Sequence, residues 1–247
     1  MLWHAVIMIC LKSMIGKIVD KKEIAQDTLQ VTFKVSEPVS FKPGQYVFVT
    51  LPKLLYPDER GPKRQFSINN SPSQKNIITI TTRLTNSGFK KTLNELPVGT
   101  EVELGPIAGV FILPDTLLKP LVLIAGGIGI TPFMSMLQFV KEENLPYKIT
   151  LIYSNRNQAS TAYLNEISEL ANIIPNFKLI LTMTEDTSWT EERGKVDTNF
   201  IKEYFPKVNE YLYMVVGPPA MVESVENVLL QAGVEKDNIK IENFTGY

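Results

Sequence analysis

Apolar and polar positions follow one rhythm before about residue 114 and another after it. In the first stretch apolar residues alternate with polar ones over short runs, the period of a half-buried strand. Such runs cover Ile15–Val19 and Thr28–Val35, with a polar turn between them. Pro43-Gly44 makes a turn into a third run, Tyr46–Leu51. "RQFSIN" from Arg64, the β-branched "NIITITTRL" from Asn76 and "TEVELGPIAGVFI" from Thr100 complete the set. Short strands at near-regular spacing, punctuated by Gly and Pro, predict a small six-stranded antiparallel barrel. One helix is expected among them, "SGFKKTLNEL", with Ser87 as its cap and Leu93 and Leu96 on one face.

Past Pro114 the apolar runs lengthen and alternate with helical periods. "LVLIA" from Leu121 reads as a fully buried strand, followed by a helix from about Thr131 to Glu143. "KITLIYS", "NFKLILTMT", "EYLYMVVG" and "IKIENF" read as further strands. "TAYLNEISELAN" and "PPAMVESVENVLLQAG" read as helices, the second stopped by Gly233. Strands alternating with helices predict a parallel sheet covered on both faces. The expected organisation is an N-terminal extension over 1–13, a barrel domain over 14–114 and an α/β domain over 115–247. The extension, "MLWHAVIMICLKSM", is about half as long as a membrane span and lacks the basic start and cleavage site of a signal peptide. It reads as an edge strand, a disordered tail, or a segment upstream of a natural start at Met14. With no export signal, the expected location is cytoplasmic.

Composition narrows the chemistry. The chain has 247 residues, 44% of them hydrophobic, enough for a sizeable core. A net charge of -1 gives no basic field for nucleic acid. Cys10 and His4 are the only residues of their kinds. An intrachain disulfide, a four-cysteine cluster, a histidine metal site and a Ser-His-Asp triad built from this chain alone are therefore excluded, and no metal is expected.

The candidate chemistry sits where strands end. Parallel-sheet folds bind ligands beyond the carboxyl ends of their strands. "GGIGITP", Gly126 to Pro132, lies there, with Thr131 placed to cap the following helix and Pro132 at its first position. The alternative is a tight turn with no ligand. "YSNRNQ" brings Ser154 and Arg156 to the same edge, where Arg suits a ribose phosphate, unless the loop is simply solvated. Arg193 and Lys195 pose the same choice, and "VGPPAMV" opens a helix after another strand. In the first half, "RQFS" places Arg64 and Phe66 on one strand face and Ser67 on the other. "GFKKT" sets basic residues and a hydroxyl at a helix start.

Taken in order, "FKPGQYVFV", "RQFS", "SGFKKTL", "ELGPIAGVF", "GGIGITP", "YSNR", "VGPPAM" and "ENFTGY" resemble the ferredoxin–NADP reductase family from about Ile15 onward. The resemblance implies FAD in the barrel and NADPH or NADH on the α/β domain. It implies Arg64 on the FAD pyrophosphate, Ser67 near flavin N5, and Phe66 where the family usually has Tyr. Gln65 and Thr82 join the cofactor-binding set. Gly88, Lys91 and Thr92 fall at a second phosphate site. Gly127, Gly129, Thr131, Ser154, Arg156, Gly217, Pro218 and Met221 fall on the dinucleotide side, with Val216 replacing the family's usual Cys. Glu242 and Phe244 match a carboxylate near the flavin and a ring stacked on it, a task Tyr247 could share. Ser67, Glu242 and Phe244 are thus the catalytic candidates. The implied reaction moves hydride from nicotinamide C4 to flavin N5, so the cofactors carry the chemistry and no histidine or metal is needed. The implied partner is a separate acceptor: ferredoxin, flavodoxin or a partner subunit. A free-flavin reductase and an electron-transfer subunit without turnover are the alternatives. The absence of an acidic residue at the end of the Tyr153 strand favours NADPH.

Overall fold

In the computed structural model, residues 13–116 and 118–244 are described. The expectations placed on residues 1–12 and on Tyr247 lie outside them. The first half is a six-stranded antiparallel sheet and the second a six-stranded parallel sheet.

The first sheet contains β1 (Met14–Ala25), β2 (Thr28–Val35), β3 (Tyr46–Thr50), β4 (Lys63–Ser67), β5 (Ile77–Arg83) and β6 (Glu101–Ala108). They pair in the order β4-β3-β6-β1-β2-β5, so β4 and β5 are the edges. The barrel closes at the seam between those edges through a few bonds rather than a ladder. Asn69 N–H donates to Thr79 O at 2.9 Å, and Thr79 N–H donates to Asn70 Oδ1 at 2.7 Å. Inside, Ile18, Val31, Phe33, Val47, Val49, Ile78, Ile80 and Leu104 form the core. Helix α1 (Gly88–Glu95) plugs it with Phe89 and Leu93, and Ser87 caps the helix as expected, accepting from Lys90 N–H.

One strand runs longer than its pattern predicts. β1 continues through the segment read as a polar turn, with register shifts between Ile18 and Asp20 and between Glu23 and Ala25. Each shift interrupts the alternation. The actual turn is Gln26-Asp27, with Asp27 at φ 52°.

The second sheet contains β7 (Leu121–Gly126), β8 (Ile149–Asn155), β9 (Phe177–Met183), β10 (Glu192–Arg193), β11 (Leu212–Gly217) and β12 (Ile239–Asn243), in the order β10-β9-β8-β7-β11-β12. Its apolar strands still alternate. Leu121, Leu123 and Ala125 of β7 face α2 (Ile130–Glu142) and α3 (Leu164–Ile173). Val122 and Ile124 face α4 (Thr198–Tyr204) and α5 (Pro219–Ala232). The strand order reverses between β7 and β11, so the loops after these strands diverge and leave a crevice at their carboxyl ends.

The motif after β7 starts its helix earlier than expected. A single 3-10 turn spans Gly127–Gly129, and α2 begins at Ile130. Thr131 is therefore inside the helix, its hydroxyl donating to Ile128 O at 3.1 Å, and Pro132 is the third helical residue. Pro132 still falls in the first turn, where its missing N–H costs no helical bond.

Candidate functional site

A cleft of about 250 Å³ lies between the barrel seam and the carboxyl edge of the parallel sheet. The barrel supplies both seam edges: Arg64 to Ser67 of β4 and Thr81 to Arg83 of β5. Tyr46 and Phe48 of β3, and Lys90 of α1, continue this wall. The opposite wall is Ile128 of the glycine turn and Thr131 of α2, with Glu242 and Asn243 of β12 and Phe244 just after it. Parallel pairing puts Glu242 beside Val216, and Phe244 N–H donates to Gly217 O at 2.9 Å. The last described residues are thereby drawn over the sheet edge.

The barrel wall is cationic, with Arg60, Lys63, Arg64, Arg83 and Lys90 all lining the cleft. Arg64 is held in advance. Its Nη1 donates to Arg60 O at 2.8 Å, Gly61 O at 2.9 Å and Lys63 O at 2.7 Å, and Nη2 pairs with Asp58 Oδ1. Both side chains are less than a tenth exposed. Burial alone pushes the Asp58 carboxyl up. Bonds from Phe89 N–H, Ser87 Oγ and Arg60 N–H, with the Arg64 charge, outweigh it and hold the carboxyl well below its usual range. Asp58 therefore stays charged, and it ties Arg64 to the start of α1. Burial also lowers Lys90 to about 8, helped by Arg60, Arg64 and Arg83. An anion brought into the cleft would relieve that repulsion.

The opposite wall is nearly bare of charge. Its one carboxyl, Glu242, is pushed up to about 7 by burial, and its Oε2 finds no hydrogen-bond partner among the described residues. The glycines divide by role. A Cβ on Gly129 would lie 2.5 Å from Val216 O, so this glycine lets the helix start press on β11. Cβ atoms on Gly126 and Gly217 would each lie 3.1 Å from Met221 Sδ, which covers the crevice between β7 and β11. A Cβ on Gly127, at φ +53°, would meet nothing, so at this turn its bareness faces open space.

Of the residues singled out from sequence, Arg64, Gln65, Phe66, Ser67, Thr82, Thr131, Glu242 and Phe244 line the one cleft. Ser67 does so despite its opposite strand face, because the cleft wraps round the edge strand β4. Gly127, Gly217, Pro218 and Met221 stand at the adjoining crevice. Ser154, the next-to-last residue of β8, pairs with Gly126, and Arg156 follows the strand, 4.0 Å from Glu185 with both side chains mostly exposed. Gly88, Lys91 and Thr92 are elsewhere. Gly88 packs on the Tyr56 and Pro57 carbonyls, Thr92 Oγ1 accepts from Leu55 N–H at 3.0 Å, and Lys91 Nζ lies 5.8 Å from the Tyr56 ring centroid. The helical phase turns Lys90, and not Lys91, into the cleft. Sequence reasoning also passed over Arg60, Lys63, Arg83, Tyr46 and Phe48. The basic residues around "RQFS" and "TTR" are the one signal for the three cations, and no local pattern marks Tyr46 and Phe48.

The donor set fits a flavin dinucleotide. Clustered cations suit a pyrophosphate, Phe66 and Phe244 offer faces to a ring, and the unpartnered Glu242 oxygen and Ser67 hydroxyl can meet ring heteroatoms. Such a fold and cleft suit a flavin and a nicotinamide nucleotide bound side by side. Comparison with known proteins agrees. Residues 16–111 match the oxidoreductase FAD-binding domain, and 123–227 match the oxidoreductase NAD-binding domain. Together the two matches are the FAD-binding and NAD-binding oxidoreductase domains of ferredoxin–NADP reductase-like proteins.

Among relatives, a flavohemoprotein of Rhodopirellula baltica is 30% identical over 219 residues, 83% of this chain and 53% of that protein. The reductase component DmpP of phenol 2-monooxygenase from Pseudomonas sp. is 28% identical over 216 residues, 85% of this chain and 60% of its own. The chain thus spans little more than half the length of these relatives. The FAD/NAD-binding domain of nitric oxide dioxygenase from Vibrio cholerae shares the fold with a TM-score of 0.81 at 19% identity, over 94% of this chain and 98% of that one. Among the described residues no helix is long and apolar enough to cross a membrane, and no cluster of ligating side chains could hold a metal.

Proposed function

We propose that this chain is an NAD(P)H-dependent FAD oxidoreductase that passes electrons to a separate acceptor. The observation that carries this reading is the single cleft shared by the cationic barrel seam and the dinucleotide edge of the parallel sheet. FAD, when bound, supplies hydride acceptance and the onward release of electrons one or two at a time. The chain's own task is placement. Arg64, preset by Asp58, and Lys90 hold the pyrophosphate. Phe66 and Phe244 flank the ring system and exclude water from it. Gly127 and the crevice under Met221 admit the nicotinamide nucleotide, and Ser154 with Arg156 receive its ribose end.

The acceptor is a ferredoxin, a flavodoxin, or the cluster- or haem-bearing component of an oxygenase system. The last is supported by relatives that are reductase components or flavohemoproteins. The test is an anaerobic absorption spectrum before and after NADPH, then NADH. Flavin absorbance that bleaches supports a reductase. A flavin unmoved by either nucleotide points to an electron-transfer subunit without turnover, the reading that Val216 in place of Cys would favour. A protein that takes up no FAD overturns the proposal. NADPH is the expected donor. Replacing Arg156 by Ala should raise KM for NADPH by about tenfold, one charge-assisted contact's worth, and leave KM for NADH within twofold. Equal effects on both would remove Arg156 from the phosphate contact.

A further inference from the structure

Tyr163 belongs to the α/β domain yet spends its hydroxyl on the barrel. It sits just before α3 with φ 61°, a left-handed conformation costly for a bulky residue, and is 4% exposed. Its hydroxyl donates to Gln30 Oε1 at 2.8 Å and accepts from Asn69 Nδ2 at 2.6 Å. It also bonds the Thr81 hydroxyl. A phenol has one donor and two acceptor sites, so Thr81 must be the donor and the hydroxyl is saturated.

These partners are not scattered. Asn69 follows the edge strand β4, Thr81 lies on the other edge strand β5, and Gln30 lies on β2 beside β5. The hydroxyl therefore sits in the seam where the two barrel edges meet without a ladder. Those same edges form the barrel wall of the cleft.

The segment that carries Tyr163 is itself firm and grips the barrel twice more. It leaves β8 at Asn155, two residues before Asn157 caps a 3-10 turn over Gln158–Ser160. Thr161 Oγ1 donates back to Asn157 O at 2.8 Å. Gln26 N–H donates to Ala159 O at 2.8 Å, and Arg83 Nη2 donates to Ser160 O at 2.9 Å. One short strap thus joins the dinucleotide end of β8 to the flavin-facing residues of β5.

We propose that Tyr163 is a positioning residue whose hydroxyl fixes the barrel seam to the α/β domain and so sets the alignment of the two bound rings. This rests on the function proposed above. Hydride transfer is steep in donor–acceptor placement, and small misplacements cost rate without costing binding. Tyr163→Phe keeps the ring's packing and removes only the three seam bonds.

The experiment compares wild type, Tyr163→Phe and Thr81→Val in two ways. Hydrogen exchange on the apo protein reads the seam, and stopped-flow flavin reduction in FAD-saturated protein reads the alignment. Expected for Tyr163→Phe are faster exchange in residues 77–83 and a limiting reduction rate at saturating nucleotide lowered by about tenfold, with the nucleotide Kd within twofold. Thr81→Val, which leaves two of the three bonds, should move both readouts the same way by less. A lower Tm with the limiting rate and the β5 exchange unchanged would reduce Tyr163 to a stability role and overturn the proposal. If wild type bound FAD but was not reduced by either nucleotide, the functional reading would fail separately. Unchanged exchange in both variants would then still refute the clamp.

Discussion

The two walls of the cleft are built on opposite principles. The barrel wall gathers five cations, and one of them, Arg64, is locked by a buried carboxylate and three carbonyls before any ligand arrives. The sheet wall gathers glycines, a thioether, a ring and one poorly ionised carboxyl. Fixed charge with its geometry set in advance suits a cofactor that stays. A bare edge with few polar anchors suits one that comes and goes. This contrast predicts that substitutions on the barrel wall act on FAD retention. Substitutions on the sheet wall should act on backbone fit or nucleotide exchange.

The largest expected effect separates two neighbouring glycines on the sheet wall. Gly129→Ala drives a Cβ to 2.5 Å from Val216 O and 2.9 Å from Gly217 Cα, both backbone atoms of a central strand that cannot yield. It should cost about 3 kcal/mol of stability, at the upper end for overpacking. Gly127→Ala meets nothing and pays only for its left-handed backbone, about 1 kcal/mol. Chemical denaturation of the apo proteins reads both. Equal costs would mean that the turn, and not its contact with β11, sets the need for glycine.

Those glycines mark where sequence reading stopped. "GGIGITP" is legible as a candidate site because glycine clusters between an apolar strand and helix have few explanations. Which glycine clears open space and which makes room for a neighbouring strand depends on β11, far along the chain, and no local pattern carries that. The strands were legible wherever alternation ran unbroken, as in Thr28–Val35. The far half of β1 was not, because its bulges make "DKKE" read as a turn. β10 has two residues, and α4 buries only Ile201, so neither shows a period. Arg64 and Ser67 were legible from a motif. Arg60 and Arg83 were not, because the folding of a loop and the closing of a seam bring them to the cleft.

Adjacent lysines sharpen the barrel side. Lys90 is 7% exposed and lines the cleft, while Lys91 lies outside it against Tyr56. Lys90→Gln should weaken FAD binding by about 30-fold, the worth of one charged hydrogen bond near 2 kcal/mol. Lys91→Gln should change it less than twofold. Because Lys90 loses its proton near 8 in the free protein, wild-type affinity should begin to fall as pH rises through 8. Lys90→Arg, which keeps its charge, should not show that fall. Fluorescence titration with FAD from pH 6.5 to 9.5 decides it. A wild-type curve parallel to Lys90→Arg would take Lys90 off the pyrophosphate.

The smallest expected effect concerns the one carboxyl on the sheet wall. Glu242 ionises near 4.5 when unfolded and near 7 when folded, because burial opposes its charge. Below 4.5 it is protonated in both states and contributes nothing to the difference. Between the two values the folded chain holds the extra proton, so stability falls as pH rises from 4.5 to 7. Above 7 it is charged in both states, and the fold bears the whole penalty. The side chain keeps partial access to solvent, which reduces that penalty to about 1 kcal/mol. Glu242→Gln should therefore leave apo stability unchanged at pH 4.5 and raise it by about that amount at pH 8. A difference between variant and wild type that stayed flat across pH 4.5–8 would mean the carboxylate finds compensation at the cleft. Glu242 would then belong with the fixed charges of the barrel wall, and the contrast between the two walls would have to be redrawn.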